Sequence, residues 1–282
     1  MTQSRWLPYA LLAPAMVFLG VLFFVPLVQT IVLSFQGDAG FGLGNYGKMV
    51  GDLNFGLSIR NTFLLVLTVI PLQVALALAM GLMLQKMTFG RDVVLWVWTI
   101  PLGVSDLAAG LVWLALLQNT GYVNSALFAM GLIPGPTAWL NSETPVTLFV
   151  AVVLAEVWRA TAIVLVILVG GLQLIPKEFA EAAEIFGARP WTRFVKITLP
   201  LLKPSLQSAL ILRTVLAFEV FAVVYALGGR NFPVLVGEAY AWQRDNQNYG
   251  VAAAYAVLIM IISLAATVFW LRVLRVKPEV QG

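Results

Sequence analysis

The chain has 282 residues, of which 61% are hydrophobic and only 11% are charged. A soluble globular domain carries roughly 25% charged residues, so this composition cannot coat a water-exposed surface and predicts an integral membrane protein. The net charge of +4 comes from dispersed basic residues and not from a patch, which excludes a nucleic-acid partner. The chain has no cysteine and no histidine, so disulfides and thiolate chemistry are excluded, and we expect neither catalytic residues nor a metal site.

Six apolar stretches are long enough to cross a membrane, since a helix needs roughly 20 apolar residues to span about 30 Å of hydrocarbon. They lie at about 9–35, 61–85, 93–117, 146–170, 201–227 and 250–274. Backbone polar groups in lipid must be satisfied within the segment, so each stretch is predicted to be a helix. The fold class is therefore all-α integral membrane, with six transmembrane helices in a single domain over residues 1–282. The first stretch is too long for a cleaved signal peptide and is predicted to be a retained span.

Basic residues near the ends of the spans predict the orientation of the chain in the membrane. With a cytoplasmic N-terminus, eleven of the seventeen Lys and Arg residues fall inside and four fall outside, while Arg159 and Arg213 lie within spans. Both termini are therefore predicted to be cytoplasmic in a multi-pass protein. The inside residues are Arg5, Lys86, Arg91, Lys177, Arg189, Arg193, Lys196, Lys203, Arg272, Arg275 and Lys277, and the outside residues are Lys48, Arg60, Arg230 and Arg244.

Residues 123–132 are predicted to form a short interfacial helix outside the membrane. The cytoplasmic segment 176–200 differs from the rest of the chain because it combines charges with helix-forming residues. Pro176 suits a first helical turn, and acidic residues near a helix N-terminus are favoured by about 0.3–1 kcal/mol. Gly187 can adopt a positive φ and end this helix. A second short helix is predicted from Trp191 to Ile197, so that segment 176–200 forms two short amphipathic helices joined by a tight turn.

The spacing within segment 176–200 resembles the signature loop of bacterial binding-protein-dependent ABC importer permeases. Glu181-Ala-Ala is followed after three residues by Gly187, and after nine more by Ile197-x-Leu199-Pro200. The flanking motifs resemble the sugar branch of that family, with its maltose-type and glycerol-phosphate-type subunits, and the resemblance covers nearly all of the chain from the second span onward. They are Gly121-Tyr-Val-Asn124, Trp139-Leu140, Glu156-Val-Trp-Arg159, Gly171-Leu-Gln-Leu-Ile-Pro176, Leu199-Pro-Leu-Leu-Lys-Pro204, Phe218-Glu-Val-Phe221 and Tyr249-Gly-Val-Ala-Ala-Ala254.

The resemblance implies a type I ABC importer-like fold in which segment 176–200 is a coupling helix docked on an ATPase subunit. The positions that would make this contact are Glu178, Glu181, Ala182, Ala183, Phe186, Gly187, Ala188, Arg189 and Arg193. Two departures occur. Phe186 stands where the family often has Asp, and the glycine turn Ala226-Leu-Gly-Gly-Arg-Asn231 lacks the usual flanking Thr and Pro. The first leaves the coupling role intact, and the second weakens assignment to one sugar.

Charged residues within spans are expensive, at roughly 2.5–3.5 kcal/mol each, and usually face a bundle interior or a cavity. Glu156 and Arg159 are three residues apart and can pair on one helical face. Arg213 and Glu219 are six apart and are each expected to find a partner on another helix. Because a sugar presents hydroxyls around apolar ring faces, we expect the translocation path to combine charged and aromatic groups. The candidates are Glu219, Phe218, Tyr225, Arg213, Glu156, Arg159 and Asp106.

The chain lacks a phosphate-binding glycine loop with Lys and Ser/Thr, so it is not expected to be an enzyme or to bind a cofactor itself. The resemblance implies two ATP-binding subunits that hold ATP and Mg²⁺, a second related permease subunit, and an extracytoplasmic solute-binding protein, all at the bacterial inner membrane.

A permease of this class for a non-sugar solute is one alternative function. A secondary transporter is another, although it would typically show internal repeats. A membrane enzyme is a third, and activity of the isolated chain would support it.

Overall fold

The computed structural model describes residues 7–37, 40–141 and 145–275. Arg5 and Lys277, which contribute to the predicted orientation, lie outside these ranges. The described chain is mostly helical and also contains a two-stranded antiparallel ribbon formed by β1 (Gln36–Gly37) and β2 (Gly40–Phe41). In chain order the helices are α1 (Leu7–Leu19), α2 (Val25–Phe35), α3 (Gly44–Val50), α4 (Phe55–Lys86), α5 (Arg91–Thr99), α6 (Asp106–Leu117), α7 (Tyr122–Ala129), α8 (Pro145–Gln173), α9 (Lys177–Ile185), α10 (Pro190–Arg193), α11 (Leu199–Leu201), α12 (Lys203–Phe218), α13 (Ala222–Gly228), α14 (Leu235–Arg244) and α15 (Tyr249–Val273).

Four continuous segments of the described chain are long and apolar enough to cross a membrane: Tyr9–Phe35, Phe55–Lys86, Pro145–Gln173 and Tyr249–Val273. They coincide with four of the six predicted spans. The first contains a π-helical turn at Gly20–Phe24, which joins α1 to α2. Two bent pairs raise the number of spans to six if each pair forms one span.

The predicted third span, 93–117, is not one helix. The segments Arg91–Gly103 and Asp106–Ala129 meet at 98°. Pro101 lies in a 3₁₀ turn at Ile100–Gly103, where proline cannot donate the hydrogen bond that a continuing helix needs. Ser105 then caps α6, because its side chain accepts a hydrogen bond from the backbone N–H of Ala108 at 3.2 Å. Pro101 therefore ends the first helix of this span, and Ser105 begins the second.

The predicted fifth span, 201–227, is also divided. The segments Pro190–Leu201 and Lys203–Phe218 meet at 69°, and a second break separates α12 from α13 at residues 219–221. The stretch after Ala217 is rich in aromatic and β-branched residues, which lose side-chain freedom in a helix and lower its propensity. Glu219 lies within this second break and not within a helix.

The described chain groups into two compact units. The first comprises residues 1–56 and 238–261. In this unit, the side-chain nitrogen of Asn45 donates hydrogen bonds to the backbone carbonyls of Ser34 at 3.2 Å and Gln36 at 3.0 Å. Gly250 is needed beside it, because a Cβ at this position would come within 2.4 Å of the Asn45 amide nitrogen. Asp52 accepts hydrogen bonds from the side chains of Trp242 and Tyr255 in the same unit.

The second unit comprises residues 57–237 and 262–282 and holds the larger apolar core. Two glycines allow close helix packing there. A Cβ at Gly110 on α6 would lie 2.7 Å from the Cβ of Ala226 on α13, and a Cβ at Gly171 on α8 would lie 2.2 Å from the hydroxyl of Ser205 on α12. Small residues at such positions let helix backbones approach closely, and the resulting van der Waals packing is one of the forces that hold helices together in a membrane.

Candidate functional site

The first candidate site is segment 176–200, which forms the predicted pair of short helices. Helix α9 begins immediately after Pro176, and Glu178 lies in its first turn. The helix ends at Ile185, and Gly187, two residues later, has a φ of +73°, the left-handed conformation that favours glycine. The N–H of Gly187 donates to the carbonyl of Glu184 and the N–H of Ala188 donates to that of Ala183, both at 2.9 Å. This is a Schellman-type ending, and it confirms the predicted helix and turn.

The second short helix begins at Pro190 and continues beyond the predicted end. Helix α10 passes into a π-helical turn at Phe194–Thr198 and then into α11. Arg193 on α10 forms an ion pair with Glu184 on α9, with 2.9 Å between Nη1 and Oε2. An exposed pair of this kind contributes only about 0–1 kcal/mol, so its main effect is to orient the two helices. Glu184 was not among the sequence candidates.

Segment 176–200 exposes large apolar side chains. Ile185 is 85% exposed and Phe186 is 89% exposed at the end of α9, while Phe179 and Trp191 are also exposed. A contiguous apolar patch beside charged residues marks an interaction surface. The positions predicted to contact the ATPase subunit fall into a half-buried set and an exposed set. Ala183, Ala188 and Arg193 are half-buried, and the exposed members are Glu178, Glu181, Ala182, Phe186, Gly187 and Arg189.

The second candidate site is a buried polar cluster between α4, α8 and α12 in the second unit. Arg213 forms an ion pair with Glu156, with 2.7 Å between Nη2 and Oε2, and both side chains are 1% exposed. The Nε of Arg213 donates to the side-chain oxygen of Gln73 at 2.6 Å. The amide nitrogen of Gln73 in turn donates to the backbone carbonyl of Glu156 at 2.9 Å. The structure therefore supplies the partner on another helix that was predicted for Arg213.

Arg159 extends this cluster towards the surface. It lies 2.7 Å from the carboxylate of Asp106 and 3.4 Å from that of Glu156, which confirms the predicted pairing of Glu156 with Arg159. Asp106 stands in the first turn of α6, beside the break in the third span, and its side chain is 51% exposed. Two carboxylates and two guanidiniums thus form one connected series of ion pairs with no formal net charge, which lowers the cost of placing four charges in a membrane.

The three remaining path candidates do not form one group. Phe218 is buried and packs edge-on against Phe63 on α4, with ring centroids 5.4 Å apart. Tyr225 is half exposed on α13 and packs against Phe221 at 5.2 Å. Glu219 lies between them in the break, with an exposed side chain. Whether these residues contact a solute stays a prediction.

Gln73 and the aromatic pair Trp113–Trp158 are the features that the sequence reasoning missed. Gln73 is fully buried, and its amide is an isolated polar group within the apolar run of the second span. A polar residue at such a position indicates that its side chain faces the interior of the helix bundle and pairs with another polar group there. The rings of Trp113 and Trp158 meet edge-on at 6.4 Å, and Trp158 directly precedes Arg159 in the chain.

Within the described ranges, no three acidic residues come together in a way that could hold a metal ion.

Comparison with curated proteins finds relatives that align along nearly the whole chain. The trehalose/maltose transport system permease protein of Thermococcus litoralis is 33% identical, with 97% of this chain and 95% of that protein covered. The sn-glycerol-3-phosphate transport system permease protein of Brucella abortus is also 33% identical, with 95% and 94% covered. The trehalose transport system permease protein of Mycobacterium tuberculosis is 31% identical, with 94% and 88% covered.

Comparison with solved structures finds the same fold in a crystal structure of a bacterial ABC transporter involved in the import of the acidic polysaccharide alginate. The TM-score is 0.82 at 20% identity, and the alignment covers 97% of this chain and 96% of that one. Residues 73–275 match the family described as binding-protein-dependent transport system inner membrane component. This range contains segment 176–200 and the whole buried polar cluster. The chain belongs to this family and is a multi-pass membrane permease subunit of a binding-protein-dependent ABC importer.

Proposed function

We propose that this chain is one of two related permease subunits in an importer for a sugar or a related polyol. The named solutes of the similar permeases, trehalose, maltose and sn-glycerol-3-phosphate, support this substrate class. The observation that carries the proposal is segment 176–200, where a short helix ends in a left-handed glycine beside exposed Ile185 and Phe186. Two ATP-binding partner subunits hold ATP and Mg²⁺, and this chain binds no cofactor and catalyses no reaction.

The apolar end of α9 docks on one ATPase subunit, and closure of the two ATPases pushes on it. A short helix with a fixed ending transmits this push as a rigid body. The segment leads through α11 directly into α12, which carries Arg213. Since Arg213 bonds to Glu156 on α8 and to Gln73 on α4, movement of α12 is passed to both of these helices. This is the physical basis for coupling ATPase closure to alternating access.

The solute path runs past the polar groups that reach a surface: Asp106, Arg159, Glu219 and Tyr225. Charged groups next to aromatic rings suit a sugar, whose hydroxyls bond to the charges while its ring face packs on the aromatic side chains. Trp158 and Trp113 supply further rings beside Arg159. Glu156, Arg213 and Phe218 are buried, and they support the path by fixing Arg159 and the end of α12.

A solute-binding protein delivers its cargo to the outside loops 36–60, 119–145 and 228–249. Both termini of the chain are cytoplasmic in the bacterial inner membrane, because the excess of basic residues lies on that side. The second permease subunit completes the path, since a single six-span chain provides only one coupling segment for two ATPases.

The test is the substitution Gly187→Asp in the assembled importer. A side chain at φ +73° strains the turn, and a new negative charge lies at the docking surface. We expect normal membrane insertion and continued ATP hydrolysis, with loss of solute uptake. The matched control is Gly90→Asp, because Gly90 has a similar φ of +71° and equally open surroundings at the start of α5, outside both segment 176–200 and the three outside loops. Normal uptake with normal solute-stimulated hydrolysis in Gly187→Asp would reject the coupling role, and uptake without ATP would favour a secondary transporter.

A further inference from the structure

The buried ion pair between Arg213 and Glu156 leaves one polar atom of each residue without a hydrogen-bond partner among the described residues. These atoms are Nη1 of Arg213 and Oε1 of Glu156. One is a donor and the other is an acceptor, and both side chains are 1% exposed. Buried polar atoms in folded proteins are nearly always paired with protein or with ordered water, so this complementary pair requires an explanation.

The positions of both atoms are fixed by the hydrogen bonds of their neighbouring atoms. The guanidinium is planar, and its Nε and Nη2 are already held by Gln73 and by Glu156, which fixes the direction of Nη1. The Glu156 carboxylate is fixed in the same way, because its Oε2 accepts from both Arg213 and Arg159. The unpartnered atoms are therefore held in place by the bonds that their neighbouring atoms make.

A small cavity adjoins both residues. It is lined by Glu156 and Arg213 together with apolar side chains of α4, α12 and the break that follows it, namely Leu65, Val66, Val69, Ala217 and Val220. Its free volume is about 10 Å³. A single water molecule needs roughly 10–15 Å³ and two to four polar partners. The cavity is thus too small for a sugar, and the adjacent guanidinium disfavours a cation.

We propose that one ordered water molecule occupies this cavity, accepting a hydrogen bond from Arg213 Nη1 and donating one to Glu156 Oε1. The water completes the hydrogen bonding of the buried cluster and makes the centre of α4, α8 and α12 a hydrated polar core within the membrane. It follows that the contact between the three helices includes a solvent molecule.

The experiment is X-ray radiolytic labelling of the assembled importer with detection by mass spectrometry, because hydroxyl radicals formed from a bound water oxidise the side chains beside it. We expect Leu65 and Val69 to be labelled several-fold faster than Val169 and Leu172, which are similarly buried but pack in a different apolar cluster of the same unit. Equal rates for the two sets would overturn the proposal.

The variant that checks the source of the label is Ala217→Val, whose added methyl groups extend into the cavity and displace the water. Labelling of Leu65 and Val69 should fall to the rate of Val169 and Leu172. If this variant does not assemble, Ala217→Ser serves instead, because its smaller hydroxyl can take the position of the water and should reduce labelling in the same way. Unchanged fast labelling in an assembled variant would mean that the cavity holds no water.

Discussion

Arg213 on α12 and Glu156 on α8 are 57 positions apart in the chain, yet their side chains meet at 2.7 Å in the interior of the second unit. Each also has a further partner, since Arg213 bonds to Gln73 and Glu156 bonds to Arg159. The pair therefore joins two helices of the apolar core to the more exposed ion pair of Arg159 with Asp106. This arrangement links the helix that follows segment 176–200 to the break in the third span.

Removing one member of this pair should be more harmful than removing both. Glu156→Leu leaves Arg213 with only Gln73 as a polar partner, and breaking a buried pair in this way costs about 3–5 kcal/mol. In the double variant with Arg213→Met, the remaining pair of Arg159 with Asp106 is still neutral. We expect thermal unfolding of the solubilised complex to show a large loss for each single variant and substantial recovery in the double variant. A double variant no more stable than the single variants would show that their loss of stability does not come from leaving a buried charge unpaired.

Two adjacent glycines of α8 should respond in opposite ways to alanine. At Gly171 the new Cβ would lie 2.2 Å from the Ser205 hydroxyl and 2.9 Å from Leu202, so α8 and α12 must separate, at about 1–3 kcal/mol. At Gly170 a Cβ meets no atom within 4 Å. Gly170→Ala should therefore be neutral or stabilising by about 0.4–1 kcal/mol, because it restricts the unfolded chain. Thermal unfolding of both variants, together with recovery of assembled complex, provides the measurement. Equal effects would be inconsistent with the close approach at Gly171.

The ion pair between Glu184 and Arg193 should matter for coupling more than for stability. Glu184→Arg or Arg193→Glu alone places like charges together and loosens α9 from α10, so we expect uptake to fall several-fold with an unfolding temperature close to that of the wild type. The exchanged double variant restores the attraction and should recover most of the uptake. Failure of the exchange to rescue uptake would indicate that one of these residues contacts the ATPase directly.

Glu219→Ala should alter transport kinetics without altering assembly, because this exposed side chain lies in a break and not in the packed core. Loss of a hydrogen bond from a charged group to a sugar corresponds to about 1.5–3 kcal/mol, or roughly a tenfold or greater rise in KM. Uptake of the radiolabelled solute across a range of concentrations measures this change. Glu219→Gln, which retains one acceptor oxygen, should show a smaller effect. Wild-type kinetics in an assembled Glu219→Ala complex would remove this residue from the path.

Hydrophobicity along the sequence is sufficient to predict a helical membrane protein, since about 20 apolar residues in succession have no other stable state in lipid. The spacing of Glu181, Gly187 and Pro200 was enough to identify the family, and the left-handed turn at Gly187 followed from the nature of glycine itself. These are local properties, so they can be read from neighbouring residues. The pairing of Glu156 with Arg159, three residues apart on one helix, was predictable for the same reason.

The breaks in the third and fifth spans could not be located from hydrophobicity, because the apolar composition continues through both of them. Nor could the sequence show that Arg213 pairs with Glu156, that Gln73 holds both, or that Phe218 turns towards Phe63 while Tyr225 lies on a separate helix. These contacts join residues far apart in the chain, and they depend on which helix faces approach each other. The sequence by itself determined the four continuous membrane helices, the family and the left-handed turn at Gly187. Only the tertiary structure decided which charges neutralise one another, because that depends on distances between helices.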